Sequence, residues 1–137
     1  MGWAATHGSM DYSIIAPLYT SGVTWTLVYD TLYAHQDKDD DKALGLYSST
    51  ALTFGPEPRP VLHALAAVTG VQWLWVGHVA GLNAWMYGLG ASAAYAHLAW
   101  QVRTAQFDNP HNLMERFRSN HATGALLFGG IVVVAGK

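Results

Sequence analysis

The chain has 137 residues, a net charge of −2 and no cysteine. A disulfide framework and a thiolate metal site are therefore excluded, and without a basic patch there is no footing for a nucleic-acid partner. Only 12% of the residues are charged, against roughly 25% in an ordinary soluble domain.

The first residues, MGWAATHGSMDYS, lack a basic n-region and read as a loop; neither a secretory signal nor a transit peptide is visible. Tyr12 to Tyr29 carries no charge, and a first span is predicted over 12–35. Five aspartates then fall between Asp30 and Asp41. Pro56, Pro58 and Pro60 close the polar loop that follows. From Pro60 to Val102 there is no Asp, Glu, Lys or Arg, long enough for two spans of about 20 residues each. These are predicted at 60–79 and 84–104, with Ala80–Asn83 as the hairpin. Pro110, His111 and Asn112 are placed in the loop after the third span. Ser119 to Gly136 is again uncharged and gives a fourth span at 120–136. Soluble helices carry a charged face, and these have none. The expected fold is all-α, an integral membrane bundle of about four transmembrane helices in a lipid bilayer.

Four spans put loops 36–59 and 105–119 on one side of the membrane and the hairpin near residue 81 on the other. The first side receives Lys38, Lys42, Arg59, Arg103, Arg116 and Arg118, and every acid except Asp11. The positive-inside rule makes it the cytoplasmic side, or the matrix side in a mitochondrion. Chemistry is expected on this crowded face.

At about 100° per residue, Asp37 and Asp41 each fall about 20° from Asp30, and Asp40 about 80° away. Tyr33 and Ala34 lie along the same stripe, and Asp39 faces the opposite way. A continuous helix would align three carboxylates; a break near Gln36 would spoil the angles and keep the cluster. Like charges this close need a cation between them. Hard divalent cations take oxygen ligands, and Mg²⁺ is held by one or two carboxylates plus substrate phosphates, which makes a diphosphate ester the expected cargo. An EF-hand loop starting at Asp37 fails, with Lys42 where Gly is required and Ser48 where Glu is required. The double-Asp pattern of the membrane enzymes that transfer cytidine-diphosphate alcohols is absent too. The remaining alternative is a solvated acidic cap. Asp30 weighs against it, because an ionisable residue inside an apolar pattern is costly and by default functional.

The segment WTLVYDTLYAHQDKDDD resembles the second aspartate-rich motif of the UbiA-type membrane prenyltransferases, Asp-x-x-Tyr-Ala-x-x-Asp-x-x-Asp-Asp. Asp30, Tyr33, Ala34, Asp37, Asp40 and Asp41 fill its fixed positions. STALTFG (49–55) and RFRSN (116–120) echo later family segments. Within the family the wording is most similar to members that prenylate 4-hydroxybenzoate in ubiquinone synthesis. The resemblance implies the C-terminal half of a bundle of about nine helices. It implies Mg²⁺ as cofactor, and a polyprenyl diphosphate and 4-hydroxybenzoate as substrates. Asp37 and Asp41, with Asp40, would be the metal ligands. Asp30 and Tyr33 would line the reaction cavity, and Lys42 would help hold the diphosphate. The implied location is the mitochondrial inner membrane, with the active-site loops on the matrix side. The family's first motif, Asn-Asp-x-x-Asp-x-x-x-Asp, is not in this chain, and Tyr47 stands where a Lys is usual. The 137 residues alone are therefore expected to be inactive. The alternatives are another quinone or aromatic prenyltransferase of the family, or a non-catalytic truncated membrane protein.

Of the histidines in spans, His63, His78 and His97 make no i, i+4 pair and are expected to serve helix–helix hydrogen bonding. His35 neighbours the aspartate stripe, and contact with the diphosphate is its lesser reading. Trp73, Trp75, Trp85 and Trp100 are read as packing or interfacial residues.

Overall fold

A computed structural model describes residues 8–35, 43, 45 and 57–136. All regular structure among them is helical: α1 (Tyr12–Ala34), α2 (Arg59–Val79), α3 (Ala84–Thr104), α4 (Pro110–Arg118) and α5 (Asn120–Ala135). The four long helices coincide with the four predicted spans to within a residue or two. Asp11 caps α1, its carboxylate accepting from the Ser13 N–H. Asn83 caps α3 and accepts from Trp85 and Met86. Each cap satisfies amide donors that a helix start leaves open.

The short α4 is a finding against expectation, since its residues were placed in a loop. The signal was local: Asn109 accepts from the Asn112 N–H, and Pro110 occupies the first turn, where a missing N–H costs nothing. One face of α4 buries Leu113 and Asn112, while Arg118 and Glu115 stay exposed.

The α2–α3 hairpin is closed as predicted. Gly81 adopts φ +70°, its N–H donates to the His78 carbonyl at 3.1 Å, and Leu82 N–H donates to Gly77 at 2.9 Å. This is a glycine-ended helix stop that satisfies two orphan carbonyls. The register of the pair is set by rings on glycines. Tyr95 lies against Gly70, and Tyr87 lies against Gly77 so closely that a Cβ there would enter the ring. The Tyr87 hydroxyl donates to the Trp73 carbonyl at 2.8 Å. α3 and α5 cross glycine on glycine: a Cβ on Gly90 would come 2.7 Å from the Gly130 Cα.

α1 packs along α2 through a polar seam inside an apolar one. Thr24 and Thr69 share a 2.6 Å hydrogen bond, and Gln72 donates to Thr20 at 2.6 Å. Two core clusters result. Trp73, Tyr87, Ala91 and Ala94 fill the hairpin end. Val28, Leu32, Leu62, Leu98, Val102, Phe107 and Leu113 fill the loop end. Outward faces remain apolar, with Val71, Leu74, Trp75, Leu89, Phe128 and Val133 exposed. Such surface suits lipid and not water. Among the described helices, α2 is the one both long and apolar enough to cross a membrane by composition. α1 and α3 are diluted by Thr, Ser, Tyr and Gln, and α5, at 16 residues, spans about 24 Å of a core about 30 Å thick.

Candidate functional site

Among the described residues, the helix ends that flank the polar loops converge at one end of the bundle, as the four-span reading required. The end of α1, the start of α2, the end of α3 and all of α4 meet there through named contacts. Arg59 donates to the Ala105 carbonyl at 2.6 Å and to both Glu57 oxygens at 3.3 Å. Its guanidinium lies 5.1 Å over the Phe107 ring. Arg116 donates from Nε to the Thr104 hydroxyl at 2.7 Å and sits 4.3 Å over the Trp100 ring. Asn112 accepts from the Gln106 N–H at 2.8 Å. These two arginines are committed to holding the 105–109 loop and α4 in place. Arg103 and Arg118 are exposed.

α1 closes at Ala34, with His35 as its C-cap. Of the aspartate stripe, Asp30 and Tyr33 therefore lie on the described helix. Asp37, Asp40, Asp41 and Lys42, like the 49–55 segment, lie outside the described residues. Asp30 is exposed on the outer face of α1. Tyr33 is 45% exposed, its ring 5.1 Å from that of Phe117 in α4. Phe117 also meets Tyr29 at 5.9 Å. The aromatic pair thus braces the turn that carries Asp30.

Along the same face of α1, Leu18, Tyr19, Gly22, Val23, Thr26 and Leu27 line an open trough of about 460 Å³. Thr26 and Leu27 lie one turn before Asp30. The trough therefore lies along the apolar middle of the helix and stops about one turn short of the Asp30 carboxylate. An apolar lining of this kind suits a hydrocarbon chain. An anionic head would need a cation between it and Asp30. Asp30 offers a hard oxygen donor of the kind Mg²⁺ takes. Among the described residues no three acids or histidines converge to complete a metal site.

His35 lies five residues past Asp30, about 140° around the helix, and so turns inward. It is 2% exposed and packs edge-on against Phe107 at 4.9 Å. His97 meets expectation, pairing across helices with Thr123 at 2.8 Å. Trp73 packs in the core, whereas Trp75, Trp85 and Trp100 are exposed. Sequence reasoning passed over Trp25, Phe117, Gln101 and Asn120. The carboxamides of Gln101 and Asn120 within uncharged runs were the available signal, since neutral polar groups at membrane depth seek partners.

Comparison with known proteins gives these residues a setting. The family model described as the UbiA prenyltransferase family matches residues 1–135. The chain is 41% identical over 134 residues to the mitochondrial 4-hydroxybenzoate polyprenyltransferase of Dictyostelium discoideum, covering 98% of the chain and 28% of the relative. It is 45% identical to the protein of the same description from Homo sapiens, covering 97% of the chain and 35% of the relative. For that from Arabidopsis thaliana the identity is 43%, with 97% and 32% covered. The chain thus spans about a third of the length of these relatives, less than the half expected, and it matches their C-terminal part. No solved structure matches it.

Proposed function

The chain belongs to the UbiA prenyltransferase family, a membrane helical fold, and from that premise we propose that it forms the C-terminal part of a 4-hydroxybenzoate polyprenyltransferase. The observation that carries this reading is the open apolar trough of α1, which stops about one turn short of Asp30 on the same face of the helix. A polyprenyl tail would lie in the trough, and its diphosphate would then reach the aspartate run beyond Ala34. In the reaction the allylic carbon–oxygen bond breaks and diphosphate leaves. A ring carbon beside the hydroxyl of 4-hydroxybenzoate bonds to the allylic carbon and gives up its proton.

Asp37, Asp41 and Asp40 would hold Mg²⁺, with Lys42 on the diphosphate. When bound, the ion supplies the positive charge that lets a diphosphate depart. Asp30 and Tyr33 would border the space shared by diphosphate and acceptor, with Phe117 fixing the Tyr33 ring. The mitochondrial relatives and the basic loops support an inner-membrane protein with this end on the matrix side. The pathway served would be ubiquinone biosynthesis.

The test is prenyl transfer to 4-hydroxybenzoate by the natively expressed protein in lipid nanodiscs, with and without Mg²⁺. Transfer that survives chelation, or that uses other phenolic acceptors equally well, would overturn the assignment. The 137 residues by themselves should be inactive, because only one aspartate motif is present; turnover by the purified 137-residue chain would show that one motif suffices.

A further inference from the structure

Five polar side chains meet inside the bundle, between the aspartate end and the hairpin end. Trp25 Nε1–H donates to Asn120 Oδ1 at 2.9 Å. Gln101 Nε2 donates to the same oxygen at 3.3 Å and to Thr123 Oγ1 at 3.0 Å. Gln101 Nε2 also lies 3.2 Å from His97 Nδ1. With the Thr123 oxygen accepting, its hydroxyl proton goes to His97 Nδ1 at 2.8 Å. His97 then keeps its own proton on Nε2. Gln101 and Thr123 are fully buried.

Asn120 is the hub of this network because it faces two ways. Its Oδ1 takes the indole of α1 and the carboxamide of α3. Its Nδ2 donates to the Phe117 carbonyl in the last turn of α4 at 2.9 Å. The ring of that same Phe117 lies against Tyr29 and Tyr33, the residues on either side of Asp30. A planar, neutral carboxamide presents an acceptor and a donor at a fixed angle. In a low-dielectric interior each partner lost would leave an unpaired polar group, so the angle is held.

We propose that Asn120 is a positioning residue for the reaction. It fixes α1 through Trp25 and holds Phe117 against Tyr33, so that Asp30 and Tyr33 present one orientation to the substrate. The link to turnover rests on the prenyl-transfer reading; the clamp on Phe117 rests on geometry alone.

The test places 4-fluorophenylalanine at position 117 of the natively expressed protein in nanodiscs. The fluorine shift reports the flanking tyrosine rings whether or not the enzyme turns over. Asn120→Ala should move that resonance toward the value of an unpacked ring. It should also lower kcat about tenfold while KM for the prenyl diphosphate changes less than about twofold, as expected for misplaced rather than missing groups. Trp25→Phe, which keeps an aromatic ring and loses the indole N–H, should shift both in the same direction by less. Asn120→Asp retains acceptors for Trp25 and loses the donor to Phe117, so it should shift the resonance like Asn120→Ala. If Asn120→Ala does not accumulate as folded protein, the other two variants decide. An unmoved resonance overturns the clamp. A moved resonance with unchanged kcat overturns the positioning role. If the unsubstituted protein transfers no prenyl group, the prenyl-transfer reading fails instead, and the resonance still decides the clamp.

Discussion

The two ends of the bundle hold their helices together by opposite means. At the hairpin end the contacts are chiefly of shape, Gly90 on Gly130 and Tyr87 on Gly77, with one interhelical hydrogen bond from Tyr87 to Trp73. At the loop end they are directional: Arg59 on the Ala105 carbonyl, Arg116 on Thr104, Asn112 on Gln106, Asn120 on Phe117. Shape contacts leave no room for variation and offer no chemistry. Directional contacts hold the 105–109 loop and α4 in place, and Asp30 faces outward beside them. The comparison predicts that stability and activity separate along the molecule.

The largest effect should come from the aspartates. Asp37→Ala or Asp41→Ala should reduce prenyl transfer by about a thousandfold, the scale of losing a charge-stabilising group at a reacting centre, with the thermal midpoint unmoved. Full activity in both variants would place the chemistry elsewhere. Next, Gly90→Leu should cost about 3 kcal/mol through overpacking, read as a lower midpoint of unfolding in micelles. Gly130→Leu should do the same. If either were neutral, the helices would not meet backbone to backbone. Arg59→Ala should cost about 2 kcal/mol, the range of a charged hydrogen bond to a carbonyl, and speed amide exchange over 105–109 more than in the hairpin. The smallest effect is Tyr87→Phe, at about 1 kcal/mol for one buried hydrogen bond. It should lower the midpoint and leave turnover of the remaining folded enzyme unchanged.

How much of this was legible beforehand follows from what carries charge. The four long helices and the Ala80–Asn83 hairpin were visible because uncharged runs broken by Gly and Pro are unambiguous. α4 was not, because a nine-residue helix rich in charged and amide side chains has the composition of a loop. Only the Asn109–Pro110 start gave it away. The aspartates and Tyr33 were legible as a motif, of which Asp30 and Tyr33 fall on the described α1 and the later aspartates outside the described residues. Trp25 and Asn120, ninety-five positions apart, are neutral and match no local pattern. Long-range pairs of that kind are set by how helices pack, which one chain's sequence does not print.

The glycine crossing has a mechanical consequence. Where Gly90 and Gly130 touch, no side chain can change rotamer to absorb a displacement. The spacing of α3 and α5 at that point is therefore fixed by backbone atoms alone. At their other ends the same two helices are joined by Gln101 on Asn120 and Thr123. One pair of helices is thus gauged by contact at one end and by bond angle at the other, and a change in either length would have to strain both.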